Sequence, residues 1–136
     1  MNRGQMARRC PTAVVVQVGR LAGYRFIINA RGYATIVPDP ADAVHGVVWR
    51  LEPTDEAALD HYEGVAEGLY RKETVTVHGA GPTSADVLTY VASDETPGSP
   101  RAGYLERVVV GAEAHALPAA YLTRLKRWRS PETGSR

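Results

Sequence analysis

The stretch Leu59-Asp60-His61-Tyr62-Glu63-Gly64-Val65, closed by Gly68-Leu69-Tyr70, constrains this chain more than any other. A helical pattern stops there and an alternating, strand-like one starts, so the backbone must change direction within a few residues. Gly64 and Gly68 permit that turn, because glycine enters the left-handed region without a Cβ penalty. The turn leaves one acidic side chain, Glu63, at the negative end of a helix macrodipole. That position, with partial burial, disfavours the charged carboxylate and raises its pKa toward a range useful for proton transfer. The plain alternative is a solvated helix-end glutamate, since surface carboxylates far outnumber catalytic ones.

The chain around this turn alternates between short strands and helices. Asn2 followed by Gln5 has capping-box spacing, which predicts a short helix through about Arg9, stopped by Pro11. Val14 to Val18 is a brief β-branched run. Leu21 to Asn29 reads as a strand with Tyr24, Phe26 and Ile28 on one face, and Gly32 turns it into Tyr33 to Val37 as a hairpin. Pro38-Asp39-Pro40 is expected to end that second strand, because proline cannot donate to a ladder. Val44 to Leu51 follows, with His45, Val47, Trp49 and Leu51 on one side. Thr54 reads as the N-cap of a helix that carries Ala58, Leu59 and Tyr62 on one side and delivers Glu63. Arg71 to His78 and Asp86 to Ala92 pair across the Gly79-Ala80-Gly81-Pro82 turn, and a polar loop runs from Ser93 to Pro100. Leu105, Val108, Val109 and Ala112 have helical spacing. Pro118 opens a last helix whose apolar face is Tyr121, Leu122, Leu125 and Trp128. The class is α+β with a curled sheet, and periodicity alone does not say whether the sheet closes.

Size and charge narrow the function. The 136 residues make one domain over 1–129 with a tail over 130–136, and a chain of that length buries about two-thirds of its unfolded surface. A net charge of +1 gives no overall pull toward nucleic acid or a membrane surface. The single cysteine excludes an intrachain disulfide framework, and no apolar run nears the ~20 residues of a membrane span. These features predict a cytoplasmic protein.

Other groups were weighed against ordinary structural roles. His45, His61, His78 and His115 share no ligand spacing, so no metal is expected. Cys10 follows two arginines, which lower a thiol pKa, yet a packed, inert thiol beside Pro11 is the simpler reading. Gly79 and Gly81 do not form a phosphate loop, because a proline and a strand follow. Arg124, Lys126, Arg127 and Arg129 read as the solvated face of a terminal helix.

Several stretches, in order and spacing, resemble the gamma-glutamylcyclotransferase family. They are Met6-Ala7-Arg8-Arg9-Cys10-Pro11, Leu21-Ala22-Gly23-Tyr24-Arg25-Phe26, Gly32-Tyr33-Ala34-Thr35-Ile36-Val37-Pro38 and Val44-His45-Gly46-Val47-Val48-Trp49. Leu59-Asp60, Glu63-Gly64-Val65, Gly68-Leu69-Tyr70, Tyr104-Leu105, Gly111-Ala112, Leu117-Pro118 and Tyr121-Leu122 continue the match to about Leu125. The resemblance implies a small mixed β-barrel with flanking helices. It also implies release of an amine from a γ-glutamyl amide as the glutamyl part cyclises to 5-oxoproline. Glu63 falls on the family's catalytic glutamate, and Tyr70, with Tyr90 and Tyr104 less securely, on aromatic positions lining its cavity. No cofactor is implied. The implied partner is a small-molecule γ-glutamyl amine or amino acid, with neither nucleic acid nor membrane, and the reading leaves a homodimer open.

Family members usually begin with a strand ending in Tyr-Gly-Ser-Asn, immediately before the residue that here is Met1. That loop cradles the substrate, and this sequence does not show it. The expectation is that the 136-residue chain by itself is aggregation-prone or partner-dependent and nearly inactive. A non-catalytic small-molecule binding or scaffold protein of the same fold is the competing reading.

Overall fold

Two long β-rich segments dominate the N-terminal half, and each finds its hydrogen-bonding partner in the other. The computed structural model describes residues 6, 9–10, 12–79 and 84–128. Strand β1 (Val14–Ile28) and strand β2 (Ala34–Arg50) form an antiparallel hairpin; helix α1 (Pro53–Tyr62), strands β3 (Tyr70–His78) and β4 (Ser84–Ala92), and helices α2 (Tyr104–Ala114) and α3 (Ala119–Lys126) follow. The sheet order is β2-β1-β3-β4, and every neighbouring pair is antiparallel. The class is α+β, as the sequence pattern predicts.

Two details of the barrel expectation are corrected. Among the described residues the sheet is antiparallel throughout rather than mixed, and no ladder between β2 and β4 closes it. These outer strands do meet at one end, where Thr35 Oγ1 accepts a hydrogen bond from the Ala92 N–H at 2.8 Å.

The strand boundaries also differ from the sequence reading. Val14 to Val18 and Leu21 to Asn29 belong to one strand, and Tyr33 to Val37 and Val44 to Leu51 are the two halves of β2. Pro38-Asp39-Pro40 does not end the pairing. Tyr24 faces Pro38 and Ala22 faces Ala43, so β2 loops out its extra residues opposite Gly23, whose φ is +86°. A bulge absorbs the prolines that a regular ladder would reject.

Helix α1 starts earlier than Thr54. Glu52 is its N-cap and Pro53 its first residue, and Asp55 Oδ2 accepts the Glu52 N–H at 3.0 Å. Asp55 is only 2% exposed. Its carboxylate also accepts a hydrogen bond from Thr12 Oγ1, and its carbonyl takes the Cys10 thiol at 3.5 Å. These bonds pin the entry segment to the start of α1. Tyr62 does not join the apolar side, being 56% exposed. The helix expected through Arg9, the turn at 80–82 and the tail from 130 lie largely or wholly outside the described residues.

Two apolar clusters hold the layers together. Tyr121 and Leu125 of α3 pack with Ala112 of α2 and with Leu117, against Val18, Phe26 and Val44 of the hairpin. Leu21, Val75 and Val77 form a second cluster with Ile36, Val48 and Val87, all from the sheet. Each such fully buried aliphatic side chain contributes about 1.5–3 kcal/mol.

Candidate active site

The end of α1 fixes Glu63. The Val65 N–H bonds the Asp60 carbonyl at 3.0 Å and the Gly64 N–H bonds the His61 carbonyl at 3.2 Å, the paired pattern of a Schellman motif. Gly64 has φ +65°, and a Cβ there would come within 2.8 Å of Leu69 Cδ1. Gly68, at φ +77°, makes the second bend and leads into Tyr70. Ser93 Oγ donates to the Gly68 carbonyl at 2.6 Å, tying the turn to the end of β4.

Glu63 is half-buried and opens on a cavity of about 660 Å³. Tyr70, Tyr90 and Tyr104 line the same cavity. Burial pushes the Glu63 pKa up, and the nearby Arg9 guanidinium pulls it partly back. Arg9, which also lines the cavity, lies over the Tyr62 ring at 4.6 Å.

Two of the tyrosines hold the backbone of one residue between them. Tyr70 Oη donates to the Ala34 carbonyl at 2.8 Å, and Tyr104 Oη accepts the Ala34 N–H at 3.1 Å. Tyr104 therefore keeps its own hydroxyl proton for another acceptor, while Tyr70 spends its proton and offers lone pairs. Burial raises both phenol pKa values, and the Glu63 charge adds to each, so both stay protonated at neutral pH. The Tyr33 ring packs edge-on to Tyr104 at 5.4 Å, which helps to fix its orientation.

Ala34 is placed by the hairpin turn before it. Asn29 is fully buried, and its Oδ1 accepts the N–H groups of Arg31 and Tyr33 at 3.1 and 3.2 Å. Gly32 makes the tight step at φ +89°, closely packed against Arg101.

Tyr90 differs from the other two. Its hydroxyl donates to Asp60 Oδ1 at 2.6 Å, and Asp60 also takes Lys72 Nζ at 3.0 Å. Lys72 reaches Glu56 at 2.7 Å as well, so Tyr90 belongs to a brace between α1, β3 and β4. Its ring lines the cavity while its hydroxyl is committed elsewhere.

The sequence reading did not single out Ala34, Asn29 or Asp60 as parts of the site. Backbone groups leave no residue signature, and the Asp60–Tyr90 pair is 30 positions apart in the chain. The other candidates have packing roles, although His45 also lines the cavity. Cys10 is 1% exposed and burial raises its thiol pKa, which fits a packed thiol. His45 packs on Tyr121 at 4.9 Å and His115 on Trp49 at 6.0 Å. Among the described residues no group of three or more His, Cys, Asp or Glu could hold a metal ion. No helix of the described residues is long and apolar enough to cross a membrane.

Residues 43–125, more than half of the chain, match the sequence pattern of the AIG2-like family. The chain belongs to the AIG2-like family. Its relatives include a gamma-glutamylcyclotransferase of Mus musculus, 29% identical over 128 residues, covering 87% of this chain and 68% of the relative. A gamma-glutamylcyclotransferase of Homo sapiens is 32% identical over 95 residues, covering 70% of this chain and 50% of the relative. A solved structure of a gamma-glutamyl cyclotransferase superposes with a TM-score of 0.87 at 26% identity, covering 97% of this chain and 85% of that one. The AIG2-like chain therefore has the gamma-glutamylcyclotransferase fold, which was expected from the ordered stretches along its sequence.

Proposed function

We propose that this AIG2-like protein cyclises a γ-glutamyl amide to 5-oxoproline and releases the amine, with Glu63 as general acid and base. The observation that supports this most is the placing of a half-buried carboxyl, its pKa raised by burial, in a cavity shared with Tyr70 and Tyr104. The names of the gamma-glutamylcyclotransferase relatives point the same way.

Nucleophile and electrophile belong to one substrate molecule, so proximity is supplied largely by the substrate itself. The protein must manage protons and charge. Glu63 takes a proton from the substrate α-ammonium group, and the freed amine attacks the γ-carbonyl carbon. A C–N bond forms, the carbonyl oxygen gains negative charge, and the original amide C–N bond then breaks. Glu63 gives its proton to the departing nitrogen, and the ring nitrogen, which still carries one proton more than the lactam, loses it by way of Glu63 to the released amine; the amine leaves as an ammonium and Glu63 ends as it began. A carboxyl with a raised pKa suits both halves of this cycle. Tyr104, with its hydroxyl proton uncommitted, donates to the substrate within the cavity, and Tyr70 holds the Ala34 peptide in place. Further donors to the developing oxyanion, worth about 3–4 kcal/mol each, are what the resemblance assigns to a Tyr-Gly-Ser-Asn loop.

The test is a panel of γ-glutamyl amines and γ-glutamyl amino acids, incubated with the 136-residue chain and with a chain extended by that strand and loop. Equal amounts of 5-oxoproline and free amine support cyclisation. Free glutamate in place of 5-oxoproline means hydrolysis, and overturns it.

A further inference from the structure

The hairpin turn before Ala34 and the loop before α2 lock together, and they gather positive charge on one aromatic ring. The Arg101 N–H donates to the Gly32 carbonyl at 3.2 Å, and Arg101 Nε donates to the Arg31 carbonyl at 2.9 Å. A Cβ on Gly32 would come within 2.6 Å of Arg101 Cγ, so the Arg101 stem is pressed against the turn. The Arg101 carbonyl accepts the Tyr104 N–H at 3.0 Å, which joins it to the first residue of α2. Arg101 is therefore held in place, and its two Nη groups keep their protons unspent among the described residues.

The Tyr33 ring carries two cations. The guanidinium carbon of Arg101 lies 4.7 Å from the ring centroid, and that of Arg31 lies 5.3 Å from it. The two charges are thus no farther apart than the Debye length of ~10 Å at 0.1 M salt, and they repel. Arg107 adds a third. A Cβ on Gly103 would stand 3.4 Å from one of its Nη atoms, so its guanidinium folds back over the start of α2, the positive end of that helix dipole. Elsewhere Arg25, Arg71 and Arg124 each meet a carboxylate. Arg31, Arg101 and Arg107 make no ion pair among the described residues. Two acids close in the chain are engaged elsewhere: Asp94 accepts the Thr96 N–H at 3.0 Å, and Glu106 lines a hollow with Val109 and Lys126.

We infer that Arg31, Arg101 and Arg107 form a binding site for the dianionic phosphate group of a small molecule, beside Tyr33 and outside the cavity. Like charges that the fold holds together, with N–H donors unspent, favour an oxyanion among them, and the planar guanidinium fork fits phosphate oxygens. Three cations suit two negative charges better than one. A phosphate also offers oxygens enough for several arginines, whereas one fork can occupy both oxygens of a carboxylate. None of the three arginines lines the cavity, and neither does Tyr33. Tyr33 connects the two sites, since its ring packs edge-on to Tyr104, which does line the cavity. The phosphate site stands whether or not Glu63 is catalytic.

The experiment titrates the full 136-residue chain with inorganic phosphate, phosphoethanolamine and acetate at constant ionic strength. Amide chemical shifts locate the binding, and thermal unfolding measures it independently, because a ligand of the folded state raises the unfolding temperature. Saturable shifts in 31–33 and 101–107 with both phosphates, and binding about tenfold or more weaker with acetate, are the expected result. Equal affinity for the two phosphates assigns the site to the free anion, and tighter binding of phosphoethanolamine assigns it to a phosphate carried on an organic molecule. Arg31→Gln and Arg107→Gln each weaken phosphate binding about tenfold or more. Neither side chain makes a hydrogen bond among the described residues, so both variants keep the parent's unfolding temperature without ligand. Arg71→Gln, which removes the partner of Glu73 on β3, leaves binding unchanged. No saturable shift with either phosphate overturns the inference, and so does acetate binding as tightly as phosphate. Full binding by the Arg31→Gln, Arg107→Gln double variant overturns it too. Shifts confined to the neighbourhood of Glu63 do the same, since they place the anion in the cavity.

Discussion

At the scale of single residues, the proposed chemistry rests on Glu63 and on Tyr70 and Tyr104 in its cavity. Burial raises the Glu63 pKa above its ordinary value of 4.5. Because the base form must be ionised, kcat/KM is expected to fall on the acid side along a limb displaced above that value. The same shift makes a stability prediction. A folded-state pKa above the unfolded one stabilises the fold most below the unfolded value, and that contribution is lost as pH rises through the folded value. Glu63→Gln, which removes the buried charge, should therefore unfold at a higher temperature than the parent chain near neutral pH and show no such gain at pH 4. Tyr70→Phe leaves the Ala34 carbonyl without its donor, which should cost about 1–3 kcal/mol in urea unfolding. Tyr104→Phe removes a hydroxyl that accepts one proton and holds another, so a loss of turnover should accompany its loss of stability. The turn at Glu63 was legible in the sequence because Gly64 and Gly68 follow it and the helical pattern stops there. The grip of Tyr70 and Tyr104 on the backbone of Ala34 was not, since both contacts are to backbone atoms far away in the chain.

Among the elements, the α1-to-β3 turn has the narrowest tolerance. Gly64→Ala meets two obstacles, the left-handed φ of +65° and a 2.8 Å approach to Leu69, and the backbone obstacle alone costs about 1–2 kcal/mol. The expected result is a lower urea midpoint together with reduced turnover, because the same turn aims Glu63. A variant that loses stability but keeps full turnover would separate the turn from the site. Helix α1 also depends on its start. Hydrogen bonds from Thr12 and Glu52 hold the Asp55 carboxyl below the usual carboxylate range. Their contribution is present above the unfolded pKa and lost as pH falls through the folded one, so Thr12→Val should remove part of the acid sensitivity of unfolding below about pH 4. The alternating patterns of β3 and β4 and the apolar faces of α2 and α3 were visible in the sequence, because each buries one side against a single neighbour. The two halves of β2 were not joined by the sequence reading. Pro38 and Pro40 signal a stop locally, and only the pairing with β1 on both sides of the bulge makes them one strand.

For the whole molecule, the consequence is an antiparallel sheet with the candidate site at one end. Closure was the point on which periodicity was silent, and the resemblance to a barrel family implied a closure that the described residues do not show. Strand patterns report which face is buried, whereas closure depends on which edge meets which, and that is a matter of long-range geometry. The site itself is assembled from the α1 turn, the hairpin, β3 and the start of α2, so it exists only when the layers are packed. Its central claim, that one carboxyl moves the proton in both directions, is open to a direct measurement. Glu63→Gln keeps the shape of the side chain and removes its capacity to take a proton. With the best substrate from the γ-glutamyl panel, on a chain that turns it over, 5-oxoproline release is predicted to fall by about 10²-fold or more, while thermal unfolding shows the variant folded. Release at the parent rate by a folded Glu63→Gln protein would contradict the account.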